Sequence, residues 1–244
     1  MATTPPTGTM ERILRLMAEK KASDVYLSAN SPALIKINGQ CVPINNQALP
    51  FDAPRSLLAE ILPPERMAEL DAESELNMGF PIAGLGRFRV SAMRQRGSIA
   101  AVFRFITVDV PALADLFLPP ILGSLIMEKR GLLLMVGATG AGKSTTLASM
   151  IDHRNATVSG HILTIEDPVE FLFKNKKSVI NQREIGTDTK SLQVALKNAL
   201  RQAPDVILIG EIRDRETMSA AIAYAQSGHL CLATMHANNS YQAL

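Results

Sequence analysis

Two hydrophobic rhythms divide this chain. Met10, Ile13, Leu14 and Met17 recur at helical spacing and predict a first helix over 9–20. Short β-rich runs follow over 24–28, 33–38 and 41–44, and Asn38-Gly39 is a strong hairpin signal between the last two. A helix is predicted over 54–62, stopped by Pro63-Pro64, and a shorter one reaches Leu70. Residues 86–96 and 99–106 then form a second predicted hairpin around Gly97. Strand alternation places Phe88, Val90 and Ala92 on one face and Arg87 and Arg89 on the other.

The stretch 107–120 carries three prolines and no clear period, which marks a linker. Beyond it the rhythm changes. Apolar strands are predicted over 132–136, 161–165, 178–181, 206–209 and 230–234, separated by helices that include 144–151, 190–202 and 215–227. Leu192, Ala195, Leu196, Ala199 and Leu200 share one face of the second helix, while Asp214 and Gly228 cap the third. Apolar strands alternating with amphipathic helices predict a parallel sheet covered on both faces. The expected fold class is therefore α/β, preceded by a small α+β domain. Asn238 and Asn239 are candidate caps of a helix that 240–244 only begin, so a C-terminal truncation is expected.

Composition narrows the classes. A chain of 244 residues with 47% hydrophobic and 20% charged side chains is globular, with one or two domains. The net charge is +2, from 25 basic and 23 acidic residues, and basic tracts interleaved with aromatics are missing. Nucleic acid is therefore not an expected partner. Residues 1–8 are polar and proline-rich, expected to be disordered and unlike a signal peptide. No apolar run approaches the roughly 20 residues of a membrane span. A cytoplasmic protein without membrane insertion is expected, with Cys41 and Cys231 as buried thiols in apolar strands.

The strongest chemical signal is Gly137-Ala138-Thr139-Gly140-Ala141-Gly142-Lys143-Ser144, with Thr145 following, set between a predicted strand and a predicted helix. Glycines allow backbone N–H groups to curl around phosphate, and the helix start adds a positive dipole end. Lys143 reaches the β- and γ-phosphates and Ser144 offers a hydroxyl to Mg²⁺. A nucleoside triphosphate with Mg²⁺ is thus the expected ligand. Three more elements follow in order. Glu166-Asp167-Pro168-Val169-Glu170 gathers carboxylates at a strand end, where one can orient or deprotonate an attacking water, although an ordinary acidic turn reads equally well. The strand 206–209 delivers Glu211, as Mg²⁺ binding requires, with Gly210 where an Asp often stands. His229 and His236 bracket a strand; core or capping histidines are the commoner reading and a sensor of the γ-phosphate the sharper one, while with Cys231 they fit no standard zinc spacing. On the predicted strands 86–96 and 99–106, Arg89 and Arg104 are candidates to neutralise phosphate charge in a neighbouring subunit, the plainer alternative being a solvated basic face.

These four motifs, in this order, resemble the secretion ATPase superfamily and, within it, the type IV pilus retraction ATPases of the PilT/PilU family. Residues 181–189 and 194–204 lie nearer its PilU branch. The resemblance implies a PAS-like domain over 9–106 and a RecA-like P-loop ATPase domain over 121–244. It makes Glu170 the catalytic base, Glu211 the Walker B acid, and His229 and His236 a histidine pair. It also implies ATP as the nucleotide and a homohexameric motor for pilus retraction and twitching motility, docked at the inner membrane through a pilus platform protein, with a paralogous retraction ATPase as a further partner. The alternatives are a pilus-assembly or type II secretion ATPase, or an ATP-binding ring subunit that depends on a partner motor.

Overall fold

Both rhythms correspond to sheets, one antiparallel and one parallel. A computed structural model describes residues 8–106 and 110–237, and the chain divides into two compact units, Met1–Ile106 and Thr107–Leu244. The first unit contains helix α1 (Thr9–Glu19), strands β1 (Asp24–Ser28), β2 (Pro32–Ile37) and β3 (Gln40–Ala48), and helices α2 (Ala53–Ala59) and α3 (Pro64–Glu73). Strands β4 (Glu75–Ile82), β5 (Gly86–Gln95) and β6 (Ser98–Ile106) complete it. They form one antiparallel sheet in the order β3-β2-β1-β6-β5-β4. Met10, Leu14 and Met17 of α1 are fully buried in the same cluster as Phe88, Val90 and Ala92, as the spacing of each set requires.

Both hairpins turn through two successive left-handed residues. Asn38 and Gly39 have φ of 48° and 82°, and Arg96 and Gly97 have 48° and 79°. That twist matches the right-handed twist of the flanking strands. Strand β4 was not visible in the pattern, because Gly79 and Pro81 interrupt it. As the edge strand beyond β5 it tolerates a residue without an N–H. Cys41, expected to be buried, is exposed, because β3 is the opposite edge strand and almost all of it faces solvent.

In the second unit, a short helix α4 (Ile121–Leu125) precedes strand β7 (Gly131–Val136) and helix α5 (Lys143–Thr157). Strands β8 (Gly160–Glu166) and β9 (Ser178–Glu184) follow, then helix α6 (Leu192–Ala199), strand β10 (Val206–Ile209), helix α7 (Arg215–Gln226) and strand β11 (Leu230–Met235). The sheet is parallel throughout, in the order β7-β11-β10-β8-β9. Alternate residues of each strand feed different clusters. Leu163, Ile207, Cys231 and Ala233 pack with α6 and α7, whereas Ile162, Val206, Leu208 and Leu232 pack with α5. The mixed α/β class with a parallel core is therefore the observed one.

The predicted helix over 190–202 is shorter. Ser191 Oγ caps it by accepting from Val194 N at 3.2 Å, and a single 3-10 turn, Leu200–Gln202, ends it where Ala203 turns left-handed ahead of Pro204. Asp214 caps α7, its Oδ1 accepting from Thr217 N at 2.7 Å. The stretch 110–120, read as linker, belongs to the second unit, because Leu113 packs against the α5-side core. The remaining linker residues 107–109, nearly all of the N-terminal segment and the helix expected after Asn238 lie outside the described residues. Among those described, no helix is long and apolar enough to cross a membrane.

Candidate functional site

In a parallel sheet all strands deliver their ends to one edge, so the loops after β7, β8, β9, β10 and β11 share a side. The glycine-rich loop leaves β7 there, with Gly137 N donating to Met235 O at 3.4 Å. Gly140 and Gly142 have φ of +79° and +86°, which side chains with a Cβ rarely adopt. Ala138, Thr139, Gly140 and Ala141 are exposed, and α5 begins at Lys143, so Ser144 and Thr145 occupy its first turn. Lys143 Nζ folds back across the loop and donates to Gly137 O at 2.8 Å and Ala138 O at 2.9 Å. The arrangement is a cradle of backbone donors, a helix start and a lysine, suited to an anion.

Glu166 ends β8 and is buried. Burial holds its carboxyl above the ordinary range, and hydrogen bonds from Thr164, Gln182 and Glu170 partly offset that rise. Thr164 Oγ1 donates to Oε1 at 2.6 Å, Gln182 Nε2 to the same oxygen at 3.3 Å, and Glu170 N to Oε2 at 3.4 Å. Glu170 itself is exposed on the loop that follows. Of the two glutamates, the buried one is therefore bound into the fold and the exposed one is available to a substrate.

Glu211 follows β10. Arg213 Nε donates to its Oε2 at 2.7 Å, and His236 Nε2, just beyond β11, lies 3.1 Å from its Oε1. Arg213 also lies 3.7 Å from Asp167 Oδ2, so one guanidinium spans the ends of β8 and β10. Gly210 has a structural reason. A Cβ there would stand 3.2 Å from the Glu166 Cα and 3.3 Å from Ile165 O, tighter than ordinary contact. Gly210 N donates to Ile165 O at 2.8 Å, and its carbonyl accepts from Thr234 Oγ1 at 2.6 Å.

The two predicted histidines do not come together. His236 lies at the loop edge, but His229 precedes β11 at the opposite edge, where its carbonyl accepts from Gly131 N at 3.1 Å. The six residues of β11 separate them by about 20 Å at 3.3 Å per residue. His229 therefore does not face the phosphate loop of its own unit, and it cannot share an ion with His236. Cys231, fully buried between them, has its thiol pushed up to about 12 by that burial. In the first unit, Arg104 Nε donates to the buried Asp24 at 2.8 Å, and Arg89 stands directly across from Arg104 on β5. Sequence reasoning assigned nothing to Gln182, Glu184 or Arg213. Only their place at or just beyond a strand's end marked them.

Comparison with known proteins adds relatives. The profile of the family described as Type II/IV secretion system protein matches residues 88–244. The chain is 48% identical to the type IV pilus ATPase PilU of Pseudomonas aeruginosa, over 96% of this chain and 61% of that protein. It is 40% identical to the type IV pilus retractation ATPase PilT of the same organism, over 93% of this chain and 66% of that protein. The chain thus spans less than two thirds of the length of either. Among solved structures, the pilus retraction motor PilT with bound ADP superposes with a TM-score of 0.90 at 42% identity, over 95% of this chain and 68% of that one.

Proposed function

Because this chain belongs to the Type II/IV secretion system protein family, we propose that it hydrolyses ATP as one subunit of a homohexameric motor that retracts type IV pili. One observation carries the reading. The phosphate cradle of Lys143 and the start of α5 shares a sheet edge with Glu170 and Glu211. The relatives named as pilus ATPases, and the ADP bound to the PilT neighbour, support nucleotide as the ligand.

In this reading the N–H groups of 137–145 bind the phosphates, and Lys143 Nζ exchanges its two carbonyl acceptors for phosphate oxygens. Glu170 orients a water and takes its proton as the water attacks the γ-phosphorus; the bond to the ADP oxygen breaks. Ser144 Oγ and the Glu211 carboxylate are the hard oxygen donors that Mg²⁺ takes, so these residues would hold it, and it would supply positive charge at the phosphates. His236 holds one Glu211 oxygen and so fixes where that carboxylate points. Arg89 or Arg104 of a neighbouring copy adds charge neutralisation. Docking on an inner-membrane platform protein, beside a paralogous retraction ATPase, completes the proposal.

The test is pilus retraction in a deletion strain complemented with the full-length wild-type protein or Lys143→Ala. Wild type restores retraction and the variant does not, and the purified variant releases no phosphate while its circular dichroism is unchanged. Retraction restored equally by Lys143→Ala would refute the motor reading. Assembly of pili in place of retraction would reassign the direction of work.

A further inference from the structure

Glu184 is a carboxylate only 1% exposed, and the mechanism above makes no use of it. It ends β9, and parallel register sets it directly beside Glu166 at the end of β8. Two buried glutamates thus stand side by side, and they divide the donors of the loop that carries Glu170. Glu166 Oε2 accepts from Glu170 N at 3.4 Å, and Glu184 Oε2 accepts from Val169 N at 3.1 Å.

Glu184 is itself firmly seated. Its Oε1 accepts from Thr187 Oγ1 at 3.1 Å, its N–H donates to Asp188 Oδ2 at 2.8 Å, and its carbonyl accepts from Asp188 N at 2.8 Å. Val169 is 3% exposed, so water does not compete for its N–H. A hydrogen bond from a buried amide to a carboxylate is of the stronger, charge-assisted kind. The Pro168–Val169 peptide, one residue before Glu170, is consequently anchored by Glu184, while the Glu170 side chain projects from an exposed position.

We propose that Glu184 is a positioning residue for ATP hydrolysis: by holding the Val169 N–H it fixes the buried residue that immediately precedes Glu170, and with it the backbone from which Glu170 projects. The inference rests on the reading of Glu170 as the base. A base displaced by about 1 Å loses on the order of a hundredfold in rate, so a firm backbone anchor has a kinetic consequence. The conservative amide, Glu184→Gln, retains a carbonyl acceptor for Val169 N, whereas Glu184→Asp withdraws the acceptor by one methylene.

The experiment compares Glu184→Ala, Glu184→Gln and Glu184→Asp in the full chain by steady-state ATPase rates and by binding of a fluorescent ATP analogue. Glu184→Ala is expected to lower kcat about 10- to 100-fold with KM and analogue affinity changed less than about threefold. Glu184→Gln restores most of the rate, and Glu184→Asp falls between. Added to Glu170→Gln, the alanine costs nothing further, because both act through one group. Wild-type kcat in Glu184→Ala overturns the proposal, as does a loss of analogue affinity that parallels the loss of rate. Should the alanine fail to fold, the other two variants decide: equal rates for Gln and Asp refute positioning. Glu170→Gln turning over at the wild-type rate sinks the base assignment itself. An inactive Glu170→Gln beside an unimpaired Glu184→Ala sinks only the role of Glu184.

Discussion

A methyl group at position 210 is a sharp probe of the site's construction. Gly210→Ala puts a Cβ 3.2 Å from the Glu166 Cα and 3.3 Å from Ile165 O. An ordinary contact lies a few tenths of an ångström further out, and the neighbour that must yield is backbone. It is poorly placed to do so. β8 is held on one side by β10, through Ile165 paired with Ile209, and on the other by β9, through Glu166 paired with Glu184. Overpacking against a fixed element costs about 1–3 kcal/mol, which for a chain of this size lowers Tm by roughly 2–12 °C. The end of β8 moves, and Glu166 with the 167–170 loop moves with it. ATPase rate should therefore fall along with Tm. Gly210→Asp, which creates the acidic pair often found in such ATPases, should be worse, since a second carboxylate arrives beside the buried Glu166. Differential scanning calorimetry and a phosphate-release assay measure both effects. An unchanged Tm in Gly210→Ala, or a faster enzyme in Gly210→Asp, would refute the packing account.

Two further outcomes are expected. Burial raises the Glu166 carboxyl above its ordinary 4.5, so the native state holds that proton to higher pH than the unfolded chain. Wild-type stability therefore declines as pH rises from that value through the folded-state pKa, and Glu166→Gln lacks this decline. The Tm of Glu166→Gln relative to wild type should increase from about pH 5 to about pH 8, and a constant difference would contradict it. For the thiols, Cys41 is exposed and Cys231 is buried with its thiol pushed up to about 12, so a maleimide should label Cys41 in the native protein and Cys231 only after denaturation. Native labelling of Cys231, read by peptide mass spectrometry, would show that the sheet opens.

Much of this fold is legible along the chain because period and punctuation are local. Met10, Leu14 and Met17 mark a helix face, Asn38-Gly39 a hairpin, and the apolar strands a buried parallel sheet. What escaped depends on strand order. β4 hides behind Gly79 and Pro81, which only its edge position permits, and Cys41 is exposed for the corresponding reason at the other edge. The phosphate loop is equally local, since loop, lysine and helix start are contiguous.

The rest of the site is lateral, and a one-dimensional reading cannot see sideways. His229 and His236 look like a pair because they flank one strand, yet strand geometry itself drives them to opposite edges. Glu184 and Glu166 are eighteen positions apart in sequence and neighbours in register, so nothing short of the β8–β9 pairing reveals that they share one loop. Gly210 reads as a missing acid until the Glu166 backbone is found against it. Each case turns on the same fact: a parallel strand fixes which residues end at an edge, and the neighbouring strand fixes what those residues can do there. The residues that hold Glu170 in place are therefore to be sought across the sheet from it, and β9 is where the structure puts one.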